Sequence, residues 1–239
     1  MKRWVGLLIL IILVSCGRKG PPLPPEAVRP EVPRDFRLTL HPLFAELSVR
    51  VPVEDIRGEA LRRIKAFEIE RVMRRPGGEG PELRKVLRVP FGGSPARSPR
   101  FYWRDRDLHP GWCYRYRVRA VKGWRSVSPW TPARKFCWST PPRTPEGFEV
   151  HRILPHTVFL SWWPSRTDLH GLPLPGPVLY RIRRRSAGEE ITFPPLRATS
   201  FFDSSARAGT RYCYSVEPLL SYYGTLVPGF RTPEICIIP

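Results

Sequence analysis

The sequence predicts an all-β chain built from two copies of one antiparallel module, and three observations carry that reading. The first is an internal repeat. Asp105, Gly111, Tyr114, Tyr116 and Val118 recur as Asp203, Gly209, Tyr212, Tyr214 and Val216 at a single offset, 203 − 105 = 98. Upstream, Leu47-Ser48-Val49 and Phe67-Glu68-Ile69 have counterparts in Leu160-Ser161-Trp162 and Tyr180-Arg181-Ile182. The second is alternation at period 2: Tyr114, Tyr116, Val118 and Ala120 share one side, and Cys113, Arg115, Arg117 and Arg119 the other, as in a half-buried strand. The third is composition. Thirty prolines against 18 glycines, with 12% aromatics, disfavour long helices and suit short strands closed by turns, and 41% hydrophobic residues suffice for folded cores.

In chain order, Lys2 and Arg3 precede an apolar run from Trp4 to Val14, eleven positions (14 − 4 + 1 = 11), which fits the charged and hydrophobic regions of a signal peptide. A spanning helix needs roughly 20 apolar residues, so the run is too short to cross a membrane. Leu13-Val14-Ser15-Cys16 resembles the lipobox of bacterial lipoproteins. That resemblance implies a signal peptide over 1–15 and a covalent diacylglycerol and N-acyl lipid (palmitate-type chains) on Cys16, the sole cofactor-like group expected. The alternative is ordinary secretory cleavage that leaves Cys16 as a spare thiol. Residues 16–32 read as a Pro-rich tether, since Pro21, Pro22, Pro24 and Pro25 favour the stiff polyproline II form. Cys16-Gly17-Arg18-Lys19-Gly20-Pro21 is also similar to the N-terminal motif of small lipoproteins, some of which assist the outer-membrane lipopolysaccharide-insertion machinery; it departs from them at Pro22. By resemblance to lipoproteins generally, Gly17 implies sorting to the outer membrane, facing the periplasm.

The modules are expected over 33–140 and 143–239, with a short proline linker between them. Gly209-Thr210-Arg211-Tyr212-Cys213-Tyr214-Ser215-Val216 resembles strand F of fibronectin type III domains, and Leu160-Ser161-Trp162 their strand B with its core tryptophan. The resemblance implies two tandem fibronectin type III-like β-sandwiches, with Val49 in the tryptophan's place in the first. It also implies that Tyr114 and Tyr212 are tyrosine-corner residues whose hydroxyls bond to nearby backbone. The first copy is longer between strands B and E, and the extra residues are expected in loops holding Pro76-Gly77-Gly78 and Gly92-Gly93-Ser94-Pro95. Asp55 to Ala66 carries only a weak helical pattern and reads as a loop or single turn.

Cys113, Cys137, Cys213 and Cys236 remain once Cys16 is set aside, an even number that suits an oxidising compartment. Each sequential pair brackets a turn, Gly123-Trp124-Arg125 or Tyr223-Gly224-Thr225, which places its members opposite one another on antiparallel strands. Two strand F to strand G disulfides, Cys113–Cys137 and Cys213–Cys236, are therefore expected. Zinc would instead require four thiolates from separate modules to converge.

The net charge of +19 is concentrated in the first module: 24 − 12 = +12 over residues 30–141, against 11 − 8 = +3 over 142–239. Arg115, Arg117 and Arg119 share a face, and Arg84, Lys85 and Arg88 fall in the preceding loop region. Together they define a candidate anion-binding face for lipopolysaccharide, anionic lipid or an acidic protein. The competing reading is a solvated sheet on which Glu68 and Glu70 form cross-strand ion pairs. Arg181, Arg183 and Arg185 form a second stripe of the same kind. Export makes nucleic acid an implausible partner despite the basic charge.

No catalytic or metal-binding constellation is expected. His41, His109, His151, His156 and His170 lack ligand spacing, and no nucleophile elbow or phosphate loop occurs. Asp105 and Asp107 read as turn residues that cap backbone. Trp103, Trp112, Trp124, Trp130, Trp138 and Trp163 are candidates for recognition surfaces, with Trp138 placed to pack at the module junction. The sequence thus predicts a non-catalytic, lipid-anchored envelope protein that binds or scaffolds other envelope components and has no small-molecule substrate. The alternative is an accessory factor of an outer-membrane assembly machine that acts through the residues after Cys16.

Overall fold

The computed structural model describes residues 22–78 and 80–239; the signal peptide expected over 1–15, the expected lipid site Cys16 and the first part of the expected tether lie outside them. The first module contains β1 (Arg34–His41), β2 (Phe44–Arg50), β3 (Ala66–Arg74), β4 (Leu83–Pro90), β5 (Arg100–Asp105), β6 (Trp112–Gly123), β7 (Ser126–Val127) and β8 (Arg134–Trp138). The second contains β9 (Glu149–Leu154), β10 (Thr157–Ser161), β11 (Val178–Ser186), β12 (Glu189–Thr192), β13 (Ser200–Asp203), β14 (Tyr212–Tyr222), β15 (Thr225–Pro228) and β16 (Ile235–Ile237). In each module a three-stranded sheet, β1-β2-β5 or β9-β10-β13, faces a larger one, β4-β3-β6-β7 with β8 or β12-β11-β14-β15 with β16. All pairings are antiparallel. The protein is all-β, two tandem fibronectin type III-like sandwiches. Residues 55–65 form a bridged loop with no helix.

Period-2 alternation decides what is buried. From β6, Tyr114, Tyr116, Val118 and Ala120 face Phe67 and Ile69 of β3 and, across the sandwich, Leu47, Val49 and Phe101. In the second module Tyr212, Tyr214 and Val216 pack with Trp162, Tyr180 and Ile182. Both tyrosine corners are present: the His109 N–H donates to Tyr114 Oη at 2.6 Å and the Arg207 N–H to Tyr212 Oη at 3.1 Å. The segments between β7 and β8 and between β15 and β16 are held to the neighbouring long strand in the same way. Thr131 Oγ1 accepts from the Val118 N–H at 3.0 Å, and Thr232 Oγ1 accepts from Val216 at 3.1 Å. Both disulfides bridge the expected strands, with Cys113 opposite Cys137 and Cys213 opposite Cys236 in register.

Two features depart from the expected outline. The first module's extra length falls partly where expected, in the turn holding Pro76-Gly77-Gly78 (83 − 74 − 1 = 8 residues against 189 − 186 − 1 = 2 in the second module), but part of it lengthens a strand, the 8-residue β4 against the 4-residue β12. In addition, the tether expected over 16–32 does not run free to its end. Pro25–Val28 forms a 3-10 turn against β7, and the following residues bridge to the 53–56 loop.

The two cores meet. Leu220 and Val227 of the second module are fully buried in the same cluster as the first module's core, and Trp138 is 4% exposed within it. The Cys137 N–H donates to Thr225 Oγ1 at 2.9 Å across the junction. The linker is stitched to module 2: the Leu169 N–H donates to Pro141 O at 3.1 Å and the Arg143 N–H to Thr167 O at 2.9 Å.

Candidate functional site

The outer face of the β4-β3-β6-β8 sheet carries most of the arginines singled out above. Cross-strand register sets Arg88, Glu68 and Arg119 in one row, Val86, Glu70 and Arg117 in the next, and Arg84, Val72 and Arg115 in a third. Glu68 accepts from Arg119 at 2.7 Å and lies 3.7 Å from Arg88. Glu70 pairs with both Arg117 and Arg84. Burial of Glu70 works to raise its pKa, but the hydrogen bonds from Arg117 and Arg84 outweigh it and hold the carboxyl below its usual range. Trp130 covers the pair from the other side, 4.9 Å from the Arg117 guanidinium and 4.4 Å from that of Arg119. Arg84, Arg88, Arg117 and Arg119 are thus committed to an ion-pair network, as the competing reading of this face expected.

Two placements differ from expectation. Arg84, Lys85 and Arg88 lie on a strand, β4, because the longer hairpin extends the sheet. Lys85 pairs with Arg71, whose side chain points inward, so it projects on the opposite side from Arg84 and Arg88 and is not part of their face.

Further positive charge lies at the junction end of the same sheet. There a groove of about 650 Å³ is lined by Arg74 and Arg75 from the end of β3, Arg115 of β6, Lys135 of β8 and Tyr223-Gly224-Thr225 of the β14–β15 turn, with the Cys113–Cys137 bridge among its walls. Arg115 lies 3.4 Å from Glu82, the one acidic residue lining the groove among the described residues. Arg75 stacks 4.3 Å above Trp112 and donates to Gly111 O at 3.2 Å. Arg74 and Lys135 have no carboxylate within ion-pair distance among the described residues. Neither residue was picked out from sequence, yet a signal existed. Pairing Cys113 with Cys137 sets Arg115 opposite Lys135 two positions further in, and the register shows this.

The aspartates expected as turn caps do more than cap. Asp105, 2% exposed, accepts from Arg71 at 2.9 Å and from Tyr116 Oη at 2.6 Å, while Asp107 takes the other Arg71 nitrogen at 2.9 Å. The second module repeats the device: Asp203 accepts from Arg184 at 2.7 Å and Tyr214 Oη at 2.8 Å. Burial, together with the neighbouring aspartate, pushes both tyrosine hydroxyls far above their ordinary pKa. Asp105 and Asp203 are each buried with their donors inside a sandwich, so the clusters brace the β5–β6 and β13–β14 corners. The stripe Arg181, Arg183 and Arg185 is paired with Glu217, Glu190 and Glu234.

Comparison with known proteins adds little to this geometry. No family model matches the chain. No curated protein matches it either. Solved structures similar to it include the FN1-FN3 domains of chicken CNTN1, at 17% identity over 89% of this chain and 68% of that one with a TM-score of 0.43. A two fibronectin type-III domain segment from chicken tenascin is 19% identical over 87% of this chain and 100% of that one, with a TM-score of 0.34.

Proposed function

We propose that this chain is a non-catalytic, lipid-anchored envelope protein that captures an anionic partner in the groove between its two modules. The observation that carries this reading is the convergence of Arg74, Arg75, Arg115 and Lys135 on one concave surface with Glu82 as the acidic lining residue described there. A basic cleft concentrates anionic ligands and accelerates their capture, and the planar fork of a guanidinium suits phosphate or carboxylate. The ligand class is an acidic protein segment or a phosphate-bearing envelope polymer. Cys16 holds the protein on the periplasmic side of the outer membrane.

The test is binding of purified lipopolysaccharide, and of acidic peptides recovered by in-cell crosslinking at Lys135, to the chain with Arg74→Glu and Lys135→Glu as variants. Both substitutions are expected to weaken binding about tenfold or more at low salt, and added salt to weaken the wild type. Equal binding by wild type and double variant removes the groove from the reading. A cellular role retained by residues 1–30 alone assigns it to the segment after Cys16 instead.

A further inference from the structure

The end of module 1 farthest from module 2 is where the chain coming from Cys16 joins the fold. Val28 O accepts from Lys122 Nζ at 3.1 Å and from Ser126 Oγ at 3.3 Å, and Arg125 pairs with Glu26 at 2.9 Å. On its other flank, Arg29 O accepts from the Ile56 N–H at 3.1 Å and the Glu31 N–H donates to Glu54 O at 3.1 Å. Residues 25–31 therefore form a strap that ties the β6–β7 hairpin tip to the 53–56 loop.

This tied end carries a group of apolar side chains with no cover. Trp124, at the hairpin tip, is 79% exposed, and Leu23, Val53 and Ile56 are 53%, 55% and 46% exposed. Basic groups flank the indole: Lys122 lies two positions before it, and the Arg125 guanidinium sits 5.2 Å from the ring centroid. This end thus carries exposed apolar side chains, an amphipathic ring at the hairpin tip, and a rim of mixed charge in which Arg125 is shared with Glu26 and Lys122 with the Val28 carbonyl.

We propose that this end of module 1 is a membrane-contact surface, seated on the headgroup layer of the bilayer that holds Cys16, with Trp124 as the inserted ring and Lys122 and Arg125 facing lipid phosphates. The proposal rests on the lipid-anchoring reading of Cys16. Chain length supplies the argument for this occupant. Nine positions separate Cys16 from Pro25, and a fully extended chain spans at most about 3.6 Å per residue, so the strap lies within roughly 30 Å of the anchor. Tryptophan is favoured at headgroup depth, and basic residues there are drawn to anionic lipid. The groove stays clear of the bilayer: β6 runs 12 residues from this end to the junction, about 36 Å at roughly 3.3 Å per residue.

Cys16 is the one cysteine outside the two disulfides, which gives a direct test. A maleimide-bearing diacyl phospholipid coupled there anchors the chain from residue 16 onward to phosphatidylglycerol vesicles, whether or not a cell acylates it. With lipids brominated near the headgroup, wild-type tryptophan emission is expected to fall by a component that Trp124→Phe lacks, and Lys122→Glu with Arg125→Glu to shrink that component at least twofold. Equal quenching of wild type and Trp124→Phe overturns the proposal. So does protection of Trp124 that appears only at concentrations where sedimentation shows a dimer, which assigns the patch to a second copy. The mass of the chain recovered from membranes reports Cys16 separately: an unmodified thiol overturns the anchoring reading, while the vesicle result still decides whether the patch seats on lipid.

Discussion

Replacing Arg71 by methionine isolates what the buried ion pair contributes. The substitution keeps most of the aliphatic volume and leaves Asp105, 2% exposed, with only the Tyr116 hydroxyl and the Asp107 N–H as donors. Breaking a buried pair by removing one partner costs about 3–5 kcal/mol, because the remaining charge stays desolvated. For a module of this size each kcal/mol lowers the midpoint by about 4–8 °C, so the first module's calorimetric transition should fall by at least roughly 12 °C. Tyr116→Phe removes one hydrogen bond to a charged acceptor and should cost less, about 1.5–3 kcal/mol. Arg71→Met combined with Asp105→Leu should recover most of the loss, since an apolar replacement of both partners is often close to neutral. Scanning calorimetry of all three variants checks this, and Arg184→Met supplies the same cut in the second module. A cost for Arg71→Met below about 1 kcal/mol, the value of an exposed pair, would refute the reasoning.

Two further outcomes follow from the same framework. Burial works to raise the Asp203 pKa, but hydrogen bonds from Ser205, Tyr214 and Arg184 outweigh it and hold the value below its ordinary 3.8. A carboxyl depressed on folding stabilises fully above its unfolded value and loses that contribution as pH falls through the folded one, so Asp203→Asn should flatten the decline of the urea midpoint below about pH 4; parallel declines would count against it. At Gly229 an added Cβ would collide with the carbonyl of Pro142 in the linker and lie 2.8 Å from Pro218 Cγ. Gly229→Ala should therefore cost about 1–3 kcal/mol and expose the Leu220 and Val227 contact, measurable as faster amide exchange at the junction with the first module's core unchanged.

How much of this was legible in the sequence depended on whether a residue's role was local. The repeat, the alternation on β6, the tyrosine corners and both disulfides follow from short-range pattern. Arg71 and Arg184 could have been read as well: they occupy inward positions two after Ile69 and Ile182, one offset apart, and an arginine repeated on a core-facing phase asks for a buried acid. Asp105 and Asp203 are the acids at the second shared offset. What the pattern could not supply was tertiary. The lengthened hairpin that carries Arg84, Lys85 and Arg88 as a strand looked like a loop because its β4 alternates charge with aliphatic residues of both faces. The groove needed the angle at which Tyr223-Gly224-Thr225 meets β8, and that angle comes from packing of Leu220 and Val227 against the other module. The strap went unseen because Pro25–Val28 has no periodicity, and its contacts are to Lys122 and Ser126, almost a hundred positions away.

The placing of the four sandwich cysteines bears on how a tandem chain avoids tangling. Two neighbouring modules with the same strand order offer each other's terminal strands a rival partner, and misassembly between repeats is a characteristic failure of such arrays. Four thiols allow three connectivities, and both wrong ones would lock strands of one module to the other. The native pairs close loops of 24 and 23 positions. The rival pairs must close on the order of 75–125, which costs roughly 1–1.5 kcal/mol more chain entropy per bridge, several-fold in the chance of the two thiols meeting. Each F–G hairpin can therefore be sealed before its neighbour competes for it, and the shared core at the junction then forms between modules whose strands are already sorted.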